Sequence, residues 1–149
     1  MRLDRRWWVA IGVAVVALIA LVYSVIRQPP EECRPVLELL EFNTSQGQAI
    51  EAKSEGTTGL PSSADEIAYR QWADGLAERA RAIDAPELRF TAVEVADLAD
   101  QFVRKLPELR TASGAQAPGA PTPRVVYEMA ALDDQIQQKL ADLSEACSG

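Results

Sequence analysis

Few side chains in this 149-residue chain could do covalent chemistry. Histidine is absent, which excludes Ser-His-Asp and Cys-His nucleophilic machinery and every histidine-ligated metal site. No glycine-rich phosphate loop is present, and the many carboxylates fall mainly on what would be the solvated faces of helices. Two thiols remain, Cys33 and Cys147. They could bridge, stay reduced in a core, or act as a redox pair, and a redox pair needs closer spacing or a lowered pKa. No catalytic, cofactor-binding or metal-ligating residue is assigned on this reading. An enzyme would need an acid-only or carboxylate-metal site that no cluster here supplies.

The elements that must position these groups begin with an apolar run. From Trp7 to Ile26 the chain reads WWVAIGVAVVALIALVYSVI, twenty residues without a charge. At 1.5 Å per residue this spans about 30 Å, the thickness of a bilayer's hydrocarbon. Trp7, Trp8 and Tyr23 fall where aromatic rings straddle the membrane interface. Arg2, Arg5 and Arg6 precede the run and Arg27 follows it, which puts residues 1–6 in the cytoplasm and everything after the span outside. A cleaved signal peptide would need a shorter apolar stretch and a small-x-small site, which Tyr23 to Pro30 does not offer. The expectation is an uncleaved signal anchor over residues 7–26 in the plasma membrane. A juxtamembrane break at 27–32 and an extracytoplasmic domain over 33–149 follow.

Beyond Gln28 the chain holds 11 basic and 21 acidic side chains. A domain so acidic is repelled by nucleic acid and by anionic lipid headgroups. Its hydrophobic period is helical throughout, with no convincing strand. The first outer helix is expected from about Cys33 to Glu55, with Pro35 in its first turn, Gly56 as C-cap, and Val36, Leu40, Asn43, Gly47 and Ile50 along one stripe. Ser63 with Glu66 forms a capping box that opens a second helix, whose face is Ala68, Trp72, Leu76, Ala80 and Ile83. Asp84-Ala-Pro-Glu87 reads as the N-cap of a third, with Leu88, Ala92, Val95, Ala99, Phe102 and Leu106 inward and Val93, Ala96 and Val103 widening the face. Pro107 is expected to kink or end this helix. Thr111 to Pro123 reads as a flexible linker, and Thr122-Pro123 as the cap of a fourth helix striped by Val126, Met129, Leu132, Ile136, Leu140, Leu143 and Cys147. The fold class expected is all-α: an N-terminal transmembrane helix, then an antiparallel bundle of four helices running up-down-up-down, with three helices as the fallback.

That topology brings the start of the first outer helix and the end of the last to the same end, so Cys33 and Cys147 can meet, and outside the cytoplasm they would oxidise. Closing a loop of more than a hundred residues is worth roughly 4 to 5 kcal/mol in the chain-entropy model. Counting helical rise from the bridge places Gly47 near the level of Asp133. Asn43 and Asp133 could therefore form a polar layer across the core, fixing helix register or holding a small ligand; outward-facing solvation is the alternative. Asn43-Thr44-Ser45 matches a glycosylation sequon but lies within a helix. Trp72-Ala-Asp-Gly75 is similar to the W-x-G turn of small secreted helical-hairpin proteins, yet its spacing differs, and Trp72 reads as core.

The arginine-rich start, the alanine- and valine-rich span and the helical outer domain with paired cysteines loosely resemble the small single-pass membrane proteins of actinobacteria. The resemblance implies a layout and no activity. The leading functional expectation is a membrane-tethered binding or scaffolding module, an accessory subunit of a cell-envelope complex. Its partners would be the bilayer, through Trp7 to Ile26, and a protein, with no nucleic acid and no cofactor. A small-ligand-binding or sensory bundle is the alternative.

Overall fold

The computed structural model describes residues 30–54 and 62–148; the expected anchor, with Trp7, Trp8 and Tyr23, and the turn around Gly56 lie outside these. Among the described residues there are four α-helices and no strand: α1 (Arg34–Ser54), α2 (Ser63–Arg81), α3 (Pro86–Gly114) and α4 (Arg124–Ala146). A 3-10 turn, Glu31–Cys33, leads into α1. Pro35 is accommodated as the second residue of α1, where its missing N–H is not required.

The helix boundaries depart from the sequence pattern in instructive ways. The cap of α2 is Ser62, not Ser63: the Ser62 hydroxyl accepts from the Asp65 amide at 3.2 Å and the Asp65 carboxylate accepts from the Ser62 amide at 2.7 Å. Glu66 is thereby released to bind Arg70 and Arg110, each at 2.7 Å. At α3 the cap is Ala85, with no side-chain hydrogen bond, rather than Asp84. Pro86 decides this, because a proline at the first helical position forces its predecessor into an extended conformation. Arg89 reaches back instead and donates to the Ile83 carbonyl at the end of α2.

Pro107 neither ends nor replaces α3, which continues through it to Gly114. Two features beyond the proline hold the extra turns. Leu109 and Ala112 pack against the core, and Arg110 is paired to α2 through Glu66. The expected linker therefore shrinks to about residues 115–123, and part of it is a defined turn. There Gly119 takes a left-handed φ of 82°, the Ala120 amide donates to the Ala117 carbonyl at 3.0 Å, and the Gln116 side chain donates to the Ala120 carbonyl at 3.1 Å. In α4 the buried stripe begins at Val125 rather than Val126, then runs through Met129, Leu132, Ile136, Leu140 and Leu143. In α1 it is Val36, Leu39 and Ile50 that are buried, with Leu40 only partly so.

Side-chain pairs between neighbouring helices show that each helix runs antiparallel to the next. Asn43 meets Trp72 and Phe42 approaches Gly75 between α1 and α2; Glu66 meets Arg110 between α2 and α3; Lys105 meets Glu128 and Glu94 meets Lys139 between α3 and α4. With Tyr69 against Phe102 as a second pair between α2 and α3, residue numbers in each set rise along one helix as they fall along the other. The start of α1 and the end of α4 are joined by the disulfide Cys33–Cys147, with a Cα–Cα distance of 5.5 Å. Both cysteines are buried in the one core that runs through all four helices.

One glycine sets the spacing of α1 and α2. A Cβ on Gly75 would lie 2.2 Å from Cζ of Phe42, so the Phe42 ring rests directly on the α2 backbone, with the Arg79 guanidinium 3.7 Å over its centroid. Gly47 is the opposite case, with nothing within 4 Å of the Cβ it lacks. Alanine favours a helix over glycine by roughly 1 kcal/mol. Gly47→Ala should therefore raise the melting temperature by several degrees. Gly75→Ala should lower it, because overpacking costs about 1 to 3 kcal/mol and exceeds the same propensity gain. Thermal melts of the two variants check this, and a stabilised Gly75→Ala would show that Phe42 moves aside freely. Reducing the disulfide should lower the denaturant midpoint by the equivalent of roughly 2 to 5 kcal/mol, the usual cost of opening a long loop. Equal midpoints with and without reductant would refute it.

Candidate functional site

The widest contrast in helix packing lies around α1. It is laid extensively on α2 but meets α4 over a much shorter stretch. Joined at the disulfide and sparsely packed beyond it, α1 and α4 border a cleft of about 210 Å³. Its walls are Asn43, Gly47, Ile50 and Glu51 of α1, Tyr69 and Trp72 of α2, Phe102 of α3, and Asp133 and Gln137 of α4. Every helix contributes, so the cleft exists only in the assembled fold.

Three aromatic rings form its apolar part. Tyr69 and Phe102 are 5.7 Å apart between centroids, Trp72 and Phe102 6.3 Å, and Tyr69 and Trp72 6.4 Å. The Trp72 ring is inclined at 82° to Tyr69 and 81° to Phe102, the edge-to-face geometry that aromatic quadrupoles favour. Its indole N–H donates to Oδ1 of Asn43 at 2.9 Å, which orients the ring and fixes the level of α1 against α2. All three rings are half-buried, since α1 and α4 do not close over them.

Asn43 and Asp133, expected to share a polar layer, do line one cavity, but that layer does not cross the core. Among the described residues no polar or charged side chain is buried; Asn43 is half-buried and Asp133 is exposed. The reason is energetic. An unpaired carboxylate costs too much to enclose, and the gap between α1 and α4 lets water reach it. Trp72, read as core, packs against the core as a partly buried ring and also forms part of the cleft wall. Cys33 and Cys147 are brought together as expected. Tyr69, Phe102, Glu51 and Gln137 were not singled out from sequence. Tyr69 and Trp72 lie one helical turn apart and could have been paired, whereas Phe102 joins them only through the α2–α3 packing.

The electrostatics are one-sided. Among the described residues Glu51 and Asp133 take part in none of the ion pairs, and no basic side chain lines the cleft. Burial pushes the Tyr69 hydroxyl above its ordinary value of 10.0, and the negative charges of Asp65, Asp133 and Glu51 push it the same way. No group of three or more potential metal-ligating side chains occurs among the described residues. A second groove of about 390 Å³ lies between α2 and α3, but Arg70, Asp74, Asp100 and Arg104 line it with balanced charge. No family model, curated protein or solved structure matches the chain.

The raised Tyr69 value has a definite sign. The folded state holds the proton more tightly than the unfolded chain, so the associated stability is whole below about pH 10 and is lost as pH rises through the folded value. In an absorbance titration, the difference between the native chain and Tyr69→Phe should show a phenolate midpoint above 10.0. Asp133→Asn should lower that midpoint. A midpoint at or below the ordinary value would show that the cleft neither dehydrates nor repels charge at this ring.

Proposed function

We propose that the chain is a membrane-tethered extracytoplasmic binding module that receives its ligand in the cleft between α1 and α4. One observation carries this reading: a cavity built from all four helices leaves three aromatic rings half-exposed where ordinary bundle packing would bury them. The absence of histidine excludes the histidine-dependent hydrolase mechanisms and is the sequence's support for a binding role. The tether is Trp7 to Ile26, with residues 1–6 in the cytoplasm, and this rests on the sequence. No helix among the described residues is long and apolar enough to cross a membrane, so the span would have to come from that segment.

A role as accessory subunit of an envelope complex draws support from a different feature. Phe90 is 67% exposed at the start of α3, with Val93 one turn on, at the same end of the bundle as the disulfide. Only Arg27, Gln28, Pro29 and Pro30 separate the proposed span from the first described turn, so this end would face the membrane and any subunit beside the anchor.

A photoreactive residue at position 137, on the cleft wall, tests the reading in intact cells against one at position 135, about 200° around the same helix. Intact mass and gel shift of the purified protein detect small and large adducts alike. Adducts should form at 137, be absent at 135, and disappear when Gly47→Leu fills the cleft. The same pattern at both positions would place recognition elsewhere.

A further inference from the structure

We propose that the cleft selects an organic cation with a quaternary, trimethylammonium-type head, seated on Tyr69, Trp72 and Phe102 and balanced by Glu51 and Asp133. This rests on the reading of the cleft as the binding face and names the chemistry that face accepts. Four observations lead to it.

The first is charge. Two acidic side chains stand on opposite walls, on α1 and α4, outside every ion pair among the described residues and with no basic side chain on the lining. An anion is repelled there. A neutral apolar ligand would shield the carboxylates from water and give nothing in return.

The second is the kind of cation. A metal ion needs several hard oxygen or nitrogen donors converging on one point, whereas Ile50, Tyr69, Trp72 and Phe102 present ring and aliphatic carbon to this cleft. A primary ammonium seeks acceptors for three N–H groups. The Asn43 carbonyl oxygen on the lining already accepts from the Trp72 indole, and the Glu51 and Asp133 carboxylates that could serve a primary ammonium stand on different helices at exposed positions. A quaternary ammonium donates no hydrogen bond and is stabilised by ring faces and by carboxylates at a distance. Three rings inclined at 46° to 82° to one another border the cleft and offer such a head carbon surface in more than one plane.

The third is precedent within the molecule. On the same α1–α2 seam the Arg79 guanidinium sits 3.7 Å over the Phe42 centroid, so an aromatic ring here already holds a cation. The fourth is space. A cavity of about 210 Å³ is below the roughly 300–1,000 Å³ of sites for drug-sized ligands and suits a compact head group. Gly47 keeps it open, since a side chain at that position would meet nothing within 4 Å except the cavity itself.

The test uses the full chain in a non-ionic maltoside detergent, with tryptophan labelled at the indole nitrogen. The Trp72 signal is the one missing from Trp72→Phe. Choline and its uncharged isostere 3,3-dimethylbutan-1-ol are titrated separately. Choline should shift the Trp72 signal saturably and bind at least tenfold more tightly than the alcohol. Glu51→Gln combined with Asp133→Asn, both at exposed positions, should weaken choline about tenfold while leaving the alcohol unaffected. Gly47→Leu should abolish the shift with helicity and melting temperature retained. Equal responses to choline and the alcohol, or no response to either, overturn the proposal. A short peptide carrying trimethyllysine separates the two sources of such a head: tighter binding than choline assigns the cation to a protein partner, weaker binding to a small molecule. If neither form binds yet photoadducts at position 137 persist and vanish in Gly47→Leu, the cleft remains the binding face and only the cation assignment falls.

Discussion

The bond between Cys33 and Cys147 encloses the four described α-helices in one covalent loop, and the rest of their arrangement follows from where it closes. The interfaces α1–α2, α2–α3 and α3–α4 are extensive, each formed by neighbours in sequence. The fourth side is not. There α1 and α4 meet sparsely, so side-chain burial alone would leave α1 attached through α2. The disulfide supplies at one end what packing does not supply along the length. It stabilises mainly by restricting the unfolded chain, and a loop with ends 114 residues apart is one where that restriction is large. Because the constraint acts only at one end, the opposite side can stay open without loss of the fold.

That opening explains the polar and aromatic content of the cleft. In a closed four-helix core, Tyr69, Trp72 and Phe102 would be covered by apolar residues from α1 and α4. Instead α1 presents Asn43, Gly47 and Glu51 to that side and α4 presents Asp133 and Gln137. Phe42 shows what closure looks like: one turn away from Gly47, its ring lies on the bare backbone of Gly75 and seals the seam between α1 and α2. The two glycines therefore do opposite work. Gly75 lets helices approach, whereas Gly47 fills no packing need and keeps a wall low.

Much of this architecture was legible in the sequence, and the misses share a cause. Helical periodicity located all four helices, and the position of the two cysteines on apolar stripes, at the first and last residues of an up-down-up-down bundle, implied the bridge. The errors came where tertiary contacts outweighed local signals. Pro107 is a strong helix breaker in isolation, but Leu109, Ala112 and the Arg110–Glu66 pair hold the helix beyond it. Ser63 and Glu66 satisfied a capping pattern, yet Ser62 and Asp65 satisfied it too, and the pull of Arg70 and Arg110 on Glu66 selected the second. The cleft was only half visible. Counting helical rise brings Gly47 near the level of Asp133, with Asn43 about a turn away, but whether that level is packed or open depends on the lateral spacing of α1 and α4, which no single-helix pattern encodes.

The same counting constrains what a tethered bundle can reach. Asn43 to Glu51 lie 10 to 18 residues beyond Cys33, so at 1.5 Å per residue the cleft stands roughly 15 to 27 Å from the disulfide end. That exceeds the screening length of about 8 Å at physiological ionic strength. With the disulfide end against the bilayer, as proposed, Glu51 and Asp133 would act on solutes in the surrounding medium and not on lipid headgroups. A subunit beside the anchor would meet Phe90 and Val93 at the near end instead. Along α3 the two candidate surfaces are separated by the nine to twelve residues from Val93 and Phe90 to Phe102, roughly 14 to 18 Å of helix. Because α3 carries Phe90 and Val93 at one end and Phe102 on the cleft wall, that single helix joins a partner at the membrane to a ligand in the cleft.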